Sequence, residues 1–229
     1  MSSRFILNDH PEIAGRHALF SPSQSSWLNY DEEKVIDRVR SQYRTSLGTE
    51  IHEYAAHEIT LYHKKRNARD ISQGIESYIY QKYEHLEAIE YGMTLIKHLG
   101  YIPKEVFETV KYYINDAVSY GMDVEKGLKY SDKIFGHADA IIFDEKNKLL
   151  RIHDLKTGFH EAKIDQLIVY AALFCLEYAI KPSDIRVELR IYQWDGINEL
   201  KPTVEDILPI MDAIITKDKI ASSVEKENR

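Results

Sequence analysis

The chain has a single cysteine, Cys175, among its 229 residues. One thiol excludes an intrachain disulfide and a four-cysteine iron–sulfur cluster. It lies in an apolar run, where it reads as a small buried hydrophobe in a reducing cytoplasm. No run of about 18 apolar residues occurs, so no membrane-spanning helix is expected. The first ten residues, Met1 to His10, lack the apolar core of a secretory signal. No G-x-x-x-x-G-K-[ST] sequence is present, which excludes a P-loop motor. Repeats, low-complexity tracts and linkers are absent, so residues 1–229 are expected to form one domain. Positive charge is also short: 30 Lys and Arg stand against 37 Asp and Glu, for a formal net charge of −7. A wholly basic binding surface is thereby excluded.

What is present is a chain of ordinary hydrophobic content, 44%, in which helical periodicity dominates the first half. Ser21-Pro22-Ser23-Gln24 is a capping box with proline at the first helical position, opening a short helix through Leu28. Glu32 to Tyr43 is amphipathic through Val35, Ile36 and Val39. Gly48-Thr49 opens a further helix to about Lys65, and Asn67 to Asp70 reads as a turn. Ile71 to Leu99 is helical in pattern with a break near Glu84–Glu87, and Gly100 stops it. Pro103 restarts a helix to about Tyr120. Strands are expected from about Val124, Ile134, Leu149 and Ile185. A helix over Glu161 to Ala179 ends before Pro182, and Pro202 opens a last one through about Thr216, with a frayed charged tail from Lys217. The expected organisation is a helical part over about 20–120, a sheet core over about 122–200 and a C-terminal helix over about 202–217. This is an α/β fold with a small mixed central sheet flanked by helices.

The chemistry concentrates in residues 136–170. Gly136-His137-Ala138-Asp139-Ala140 lies on one predicted strand. Asp154-Leu155-Lys156-Thr157-Gly158 closes the next, after the polar turn Asp144 to Lys148, so the two form a hairpin. Side chains at i and i+2 share a strand face, which points Asp154 and Lys156 the same way. Ala138 and Ala140 leave room around Asp139, and Gly136 allows another group to approach closely. On the helix that follows, Gln166 and Tyr170 are four apart and share a face. Two carboxylates on neighbouring strands are hard oxygen donors of the kind magnesium and manganese prefer. The backbone carbonyl of Leu155 lies between them and the lysine and is a further donor. A cation there activates water and stabilises charge developing on a phosphate, and Lys156 orients the water or neutralises the phosphate.

These residues, in this order, resemble the RecB-type and lambda-exonuclease-like branch of the PD-(D/E)XK nuclease superfamily. The branch shows G-x-x-D, then D/E-x-K-T-G, then Q-x-x-x-Y, matched by Gly136 and Asp139, by Asp154, Lys156, Thr157 and Gly158, and by Gln166 and Tyr170. An upstream G-T-x-x-H on a helix is matched by Gly48, Thr49 and His52. The resemblance covers about residues 20–195. Ala138 stands where many members carry proline. It implies a restriction-endonuclease-like core. It also implies metal ligation by His52, Asp139, Asp154 and the Leu155 carbonyl, a catalytic Lys156, and Gln166 and Tyr170 ordering the site near DNA. Glu125 matches the acidic residue that many members place upstream of the first aspartate, although a solvated strand edge explains it more simply. The cofactor implied is Mg2+ or Mn2+, one ion or two.

The activity implied is metal-dependent hydrolysis of DNA phosphodiesters in phage or bacterial recombination, replication or repair. An exonuclease is favoured, with a structure-selective endonuclease or a catalytically silent DNA-binding module as alternatives. Partners implied are DNA, a single-strand annealing protein or helicase, and further copies of the chain in a ring. With its acid surplus the chain has to hold DNA in a local groove. Candidate contacts are Lys64-Lys65-Arg66 with Arg69, and Arg186 with Arg190, although a solvated face is the more common role for such residues. His57 and His63 read as ordinary helix residues and His153 as structural, while His137 shares the strand face of Asp139. Tyr78, Tyr80, Tyr83, Trp27 and Trp194 read as packing residues.

Overall fold

The computed structural model describes residues 28–64, 67–85, 88–158, 162–193 and 196–227. The Ser21 capping box, Trp27, Lys65, Arg66, Glu87, Glu161 and Trp194 lie outside the described residues. By internal contacts the chain divides into two compact units, residues 1–45 and 46–229.

Helix α1 (Glu32–Thr60) begins in the first unit and ends in the second. In the first unit Asp31 caps it, its side chain accepting from Lys34 N at 2.9 Å. The sequence suggests two helices meeting at Gly48-Thr49, but α1 is one helix of 29 residues. A glycine inside a helix costs about 1 kcal/mol relative to alanine, so Gly48 weakens α1 without breaking it.

All other elements belong to the second unit. Helix α2 (Ala68–Lys82) starts where a turn is expected, because Asn67 is its N-cap: the Asn67 side chain accepts from Arg69 N and Asp70 N. Helix α3 (Ile89–Leu99) and helix α4 (Lys104–Tyr120) follow. Gly121, at φ 65°, ends α4 in the left-handed conformation that glycine adopts without strain. Strands β1 (Asp123–Ser131), β2 (Ile134–Asp144) and β3 (Leu149–Leu155) come next, then helix α5 (Asp165–Glu177), β4 (Arg186–Gln193), β5 (Gly196–Leu200) and helix α6 (Val204–Glu227).

The five strands form one sheet in the order β1-β2-β3-β4-β5. Its pairs are antiparallel except β3–β4, which is parallel and joined by the crossover through α5. The molecule is therefore α/β, a five-stranded mixed sheet flanked by helices. Leu150 and Ile152 of β3 and Val187, Leu189 and Ile191 of β4 pack with Leu167, Ala171 and Phe174 of α5 and Ile207 and Ile214 of α6. Strand β5 is missing from the sequence reading because Gly196 to Glu199 are all exposed, so no alternation marks it. Helix α6 runs to Glu227, beyond the expected end at Thr216. The β1–β2 turn holds its later part, through Ser131 Oγ donating to Asp218 and Lys133 Nζ to Ser222 Oγ. Among the described residues no helix is long and apolar enough to cross a membrane.

A polar network connects α4 with the sheet. Tyr192 OH donates to Asp116 Oδ2 at 2.6 Å and lies 3.3 Å from His153 Nδ1. Arg190 reaches Asp116, Glu188 and Glu199 at 3.0–3.1 Å. Arg190 is thus committed within the fold, neither a solvated face nor a free phosphate contact. His153 is fully buried, in ring contact with Tyr120 and Tyr192. Burial, with Arg190 and Arg151 nearby, pushes its imidazole down to about 3. Between that value and the unfolded value near 6.5, the unfolded chain binds a proton that the folded chain rejects. The stability contributed by neutral His153 is full above about 6.5 and declines as pH falls, by about 1.4 kcal/mol per pH unit. Urea titrations from pH 7 to 4 should therefore show His153→Gln with a pH slope altered by close to one proton relative to wild type. Parallel pH profiles would remove His153 from this role.

Candidate active site

The site forms where two strands part. Strands β2 and β3 pair from Asp144↔Leu149 to Ala140↔His153. One step further, that register sets Asp139 across from Asp154, and the ladder stops. Leu155 N donates instead to the Asp139 side chain, at Oδ2, 2.9 Å away. Strand β3 stays paired with β4 through Leu155↔Tyr192, and Lys156 N donates to Tyr192 O at 2.8 Å. Both carboxylates therefore stand at a fork, held by backbone on either side.

Lys156 Nζ lies 2.9 Å from Asp154 Oδ1, on the strand face that the i, i+2 spacing predicts. Asp154 is 4% exposed, and its other oxygen, Oδ2, is buried without a hydrogen-bond partner. Burial pushes the Asp154 carboxyl up to about 6; the charge of Asp139 adds to this and Lys156 opposes it. Burial raises Asp139 too, against the Leu155 N–H and Lys156. Two desolvated acids side by side repel each other, and one ammonium compensates only part of that.

Helix α1 brings His52 to the same point. Its Nδ1 lies 3.4 Å from Asp139 Oδ2, and the ring hydrogen-bonds the Leu155 backbone. Burial lowers its pKa, partly opposed by Asp154. The imidazole is thus neutral near pH 7, the form that can ligate a metal.

The motif glycines admit other motif residues. A Cβ on Gly48 would fall 2.9 Å from Thr157 Oγ1, so the helix glycine lets the end of β3 approach α1. A Cβ on Gly136 would fall 2.9 Å from Tyr170 Cε1, so the strand glycine makes room for the Tyr170 ring. Gln166 hydrogen-bonds Tyr170 one turn along α5, and burial raises the phenol. Residues far apart in sequence are in this way packed into one unit.

Glu125 also reaches the site. The β1–β2 register sets it across from Asp139, and it has φ 49°, a strained value for a residue other than glycine. Burial raises its carboxyl, with Asp139 and Glu53 adding to the effect. Glu53 and Gln193 are absent from the sequence reading. Glu53 adjoins His52 on α1 and accepts from Tyr78 OH. Gln193 donates to Gly158 O at 2.9 Å and accepts from Ala162 N at 3.1 Å, holding both described ends of the segment between Lys156 and α5. Its only sequence signal is its place at the end of β4.

Other candidates lie elsewhere. His57 contacts Tyr78 and His63 contacts Glu58. Lys64 Nζ donates to Ser119 Oγ and Arg186 Nη2 to Asn147 O. Among the described residues, no three or more His, Cys, Asp or Glu side chains are arranged as a ready metal cage. The donor set still suits a hard divalent cation. Asp154 Oδ2 is a buried oxygen lacking a partner, beside a second carboxylate and a neutral imidazole, and a cation would relieve the repulsion between the acids.

This is an α/β protein with one buried and one half-buried carboxylate and a lysine at a strand fork. The chain belongs to the family described as "Protein of unknown function (DUF2800)", whose profile matches residues 17–227. No curated protein and no solved structure matches it.

Gly136 and Tyr170 should be coupled energetically. Gly136→Ala is expected to cost about 1–3 kcal/mol in urea denaturation, and clearly less in a Tyr170→Ala background. Equal costs in both backgrounds would show that the close approach is not what requires glycine.

Proposed function

We propose that this protein is a metal-dependent deoxyribonuclease with a restriction-endonuclease-like core of the RecB and lambda-exonuclease type. The observation that supports this most is the fork at Asp139 and Asp154, with Lys156 on one carboxylate, His52 on the other, and Asp154 Oδ2 buried without a partner. His52, Asp139, Asp154 and the Leu155 carbonyl would hold Mg2+ or Mn2+. When bound, such an ion makes a nearby water more acidic and offsets charge building on the phosphate.

The chain's own groups do the rest. Asp139 and Asp154 present oxygens from two diverging strands. Lys156 is the ammonium nearest these oxygens, positioned to neutralise a non-bridging phosphate oxygen and to donate a proton near the reacting centre. Water oxygen bonds to phosphorus as the bridging P–O bond breaks; the water gives up one proton to a site carboxylate or to solvent, and the departing oxygen takes one up. Gln166 fixes Tyr170, whose phenol stays protonated and serves as a hydrogen-bond donor at the edge of the site. Action at DNA ends is favoured over internal cutting by the resemblance alone. A single-strand annealing protein or a helicase fits such an enzyme as a partner.

End-labelled linear duplex, single strands and covalently closed circles, each with magnesium or EDTA, test the reading. Magnesium-dependent loss of linear DNA is expected with circles spared. Lys156→Ala and Asp154→Ala, confirmed folded by circular dichroism, should lower the rate at least a hundredfold. Cutting of circles would make the protein an endonuclease. Inertness of a folded wild-type protein on every substrate would overturn the assignment.

A further inference from the structure

Strand β4 ends beside Lys156. The last pair of the β3–β4 ladder is Leu155↔Tyr192, and Lys156 N donates to Tyr192 O at 2.8 Å. Among the described residues no further pair follows, because β4 turns back at Gln193, which pairs with Gly196 of β5. The Gln193 side chain continues where the ladder stops. It is 5% exposed, and its amide donates to Gly158 O at 2.9 Å and accepts from Ala162 N at 3.1 Å. A carbonyl on one side and an N–H on the other fix which way the amide points. Thr109 Oγ1 of α4 donates to Gln193 O at 3.0 Å. Thr109 is itself buried, so the residue that carries the amide is anchored to α4 through its own backbone.

Few side chains can stand in this place. The two backbone groups need one donor and one acceptor at once, which a neutral amide supplies. Glutamate would accept from Ala162 N but repel the Gly158 carbonyl, and methionine would fill the space with neither bond. The clamp matters because of what lies two residues before Gly158. Lys156 Nζ is 2.9 Å from Asp154 Oδ1, yet its side chain is 33% exposed. A partly exposed lysine is a flexible stem, and its ion pair does little to hold it in one geometry. Keeping the ammonium on one oxygen falls to the backbone that carries it. That backbone is tied at Lys156 N to Tyr192 O and at Gly158 O to the Gln193 amide. Between them, Thr157 comes up to α1 at Gly48.

We propose that Gln193 is a positioning residue for Lys156: its amide takes over from the β3–β4 ladder and fixes the chain beyond the lysine, which keeps the ammonium on Asp154. The part Lys156 plays in turnover rests on the nuclease reading. Its placement does not, and is measured without DNA. Gln193 acts through Lys156 and has no role of its own at the reacting atoms.

The test uses Gln193→Met, which keeps the length of the side chain and loses both bonds. Gln193→Glu, which keeps only the bond to Ala162 N, takes its place if circular dichroism shows the first variant unfolded. The Lys156 Cε protons are followed by carbon–proton NMR of the metal-free protein, their signal assigned by its loss in Lys156→Ala. A lysine held in one geometry shows two distinct Hε resonances, and a freely rotating one shows them merged. They should be distinct in wild type and merged in the Gln193 variant. With magnesium and linear duplex DNA, the same variant should lower kcat by about ten- to a hundredfold with KM little changed. In a Lys156→Ala background it should add no further loss. Distinct Hε resonances in the folded variant would overturn the positioning role. So would a loss of rate that persists in full beside Lys156→Ala, or the failure of both Gln193 variants to fold. If wild-type protein cleaves no DNA, the nuclease reading falls while the resonances still decide the placement. If it cleaves and the variant's resonances stay distinct, the placement alone falls.

Discussion

The structure turns on one hydrogen bond, from Leu155 N to the Asp139 carboxylate. In an uninterrupted hairpin that N–H would meet a carbonyl of β2. Here it meets a side chain, so β2 is free to leave while β3 continues beside β4. The opening this creates is where acid, acid, lysine and imidazole converge. Burial follows from the same arrangement, because strands and helices close around the fork and exclude water from Asp154. The raised pKa of both aspartates is then a consequence of architecture. Such tension between burial and charge marks sites that do chemistry or bind ions, although structural ion pairs share it.

Each supporting contact holds a part of this fork in place. Gly48 lets Thr157 come up to α1 and so brings His52 over Leu155. Gly136 admits the ring of Tyr170, which ties α5 to β2. Gln193 holds Gly158 and Ala162, on either side of the segment that leads from Lys156 into α5. The fold is thus built around a spacing, and the residues that set it lie on five different elements. On the α4 side, the Asp116–Tyr192–Arg190 network adds hydrogen bonds to the packing of α4 on the other surface of β3 and β4.

Much of this was legible in the sequence, for identifiable reasons. The hairpin from Ile134 to Leu155 carries a strong apolar pattern and a polar turn. Strand alternation puts Asp154 and Lys156 on one face, but singling them out with Asp139 took the joint order of Gly136, Thr157-Gly158 and Gln166-x-x-x-Tyr170. The closeness of His52 came through the resemblance, since nothing local distinguishes it from His57. The glycines signalled close approach without saying what approaches. What stayed hidden depends on distant contacts. The continuity of α1 through Gly48, the extension of α6 past Thr216 and the exposed edge strand β5 all depend on partners that local pattern does not encode. The occupation of Arg190 is likewise visible only once α4 and β4 meet, and it removes one candidate phosphate contact.

The central claim is that the fork is built for a divalent cation. Isothermal titration of Mn2+ into wild-type protein and the Asp154→Asn variant addresses it directly, at pH 7.5 and at pH 5. Asp154 is protonated in the folded state below about 6, and a protonated carboxyl is a poor ligand. Binding is therefore expected at pH 7.5, much weakened at pH 5, and lost in Asp154→Asn at both. Equal Mn2+ affinity in wild type and variant, or no binding by folded wild-type protein at pH 7.5, would contradict the account.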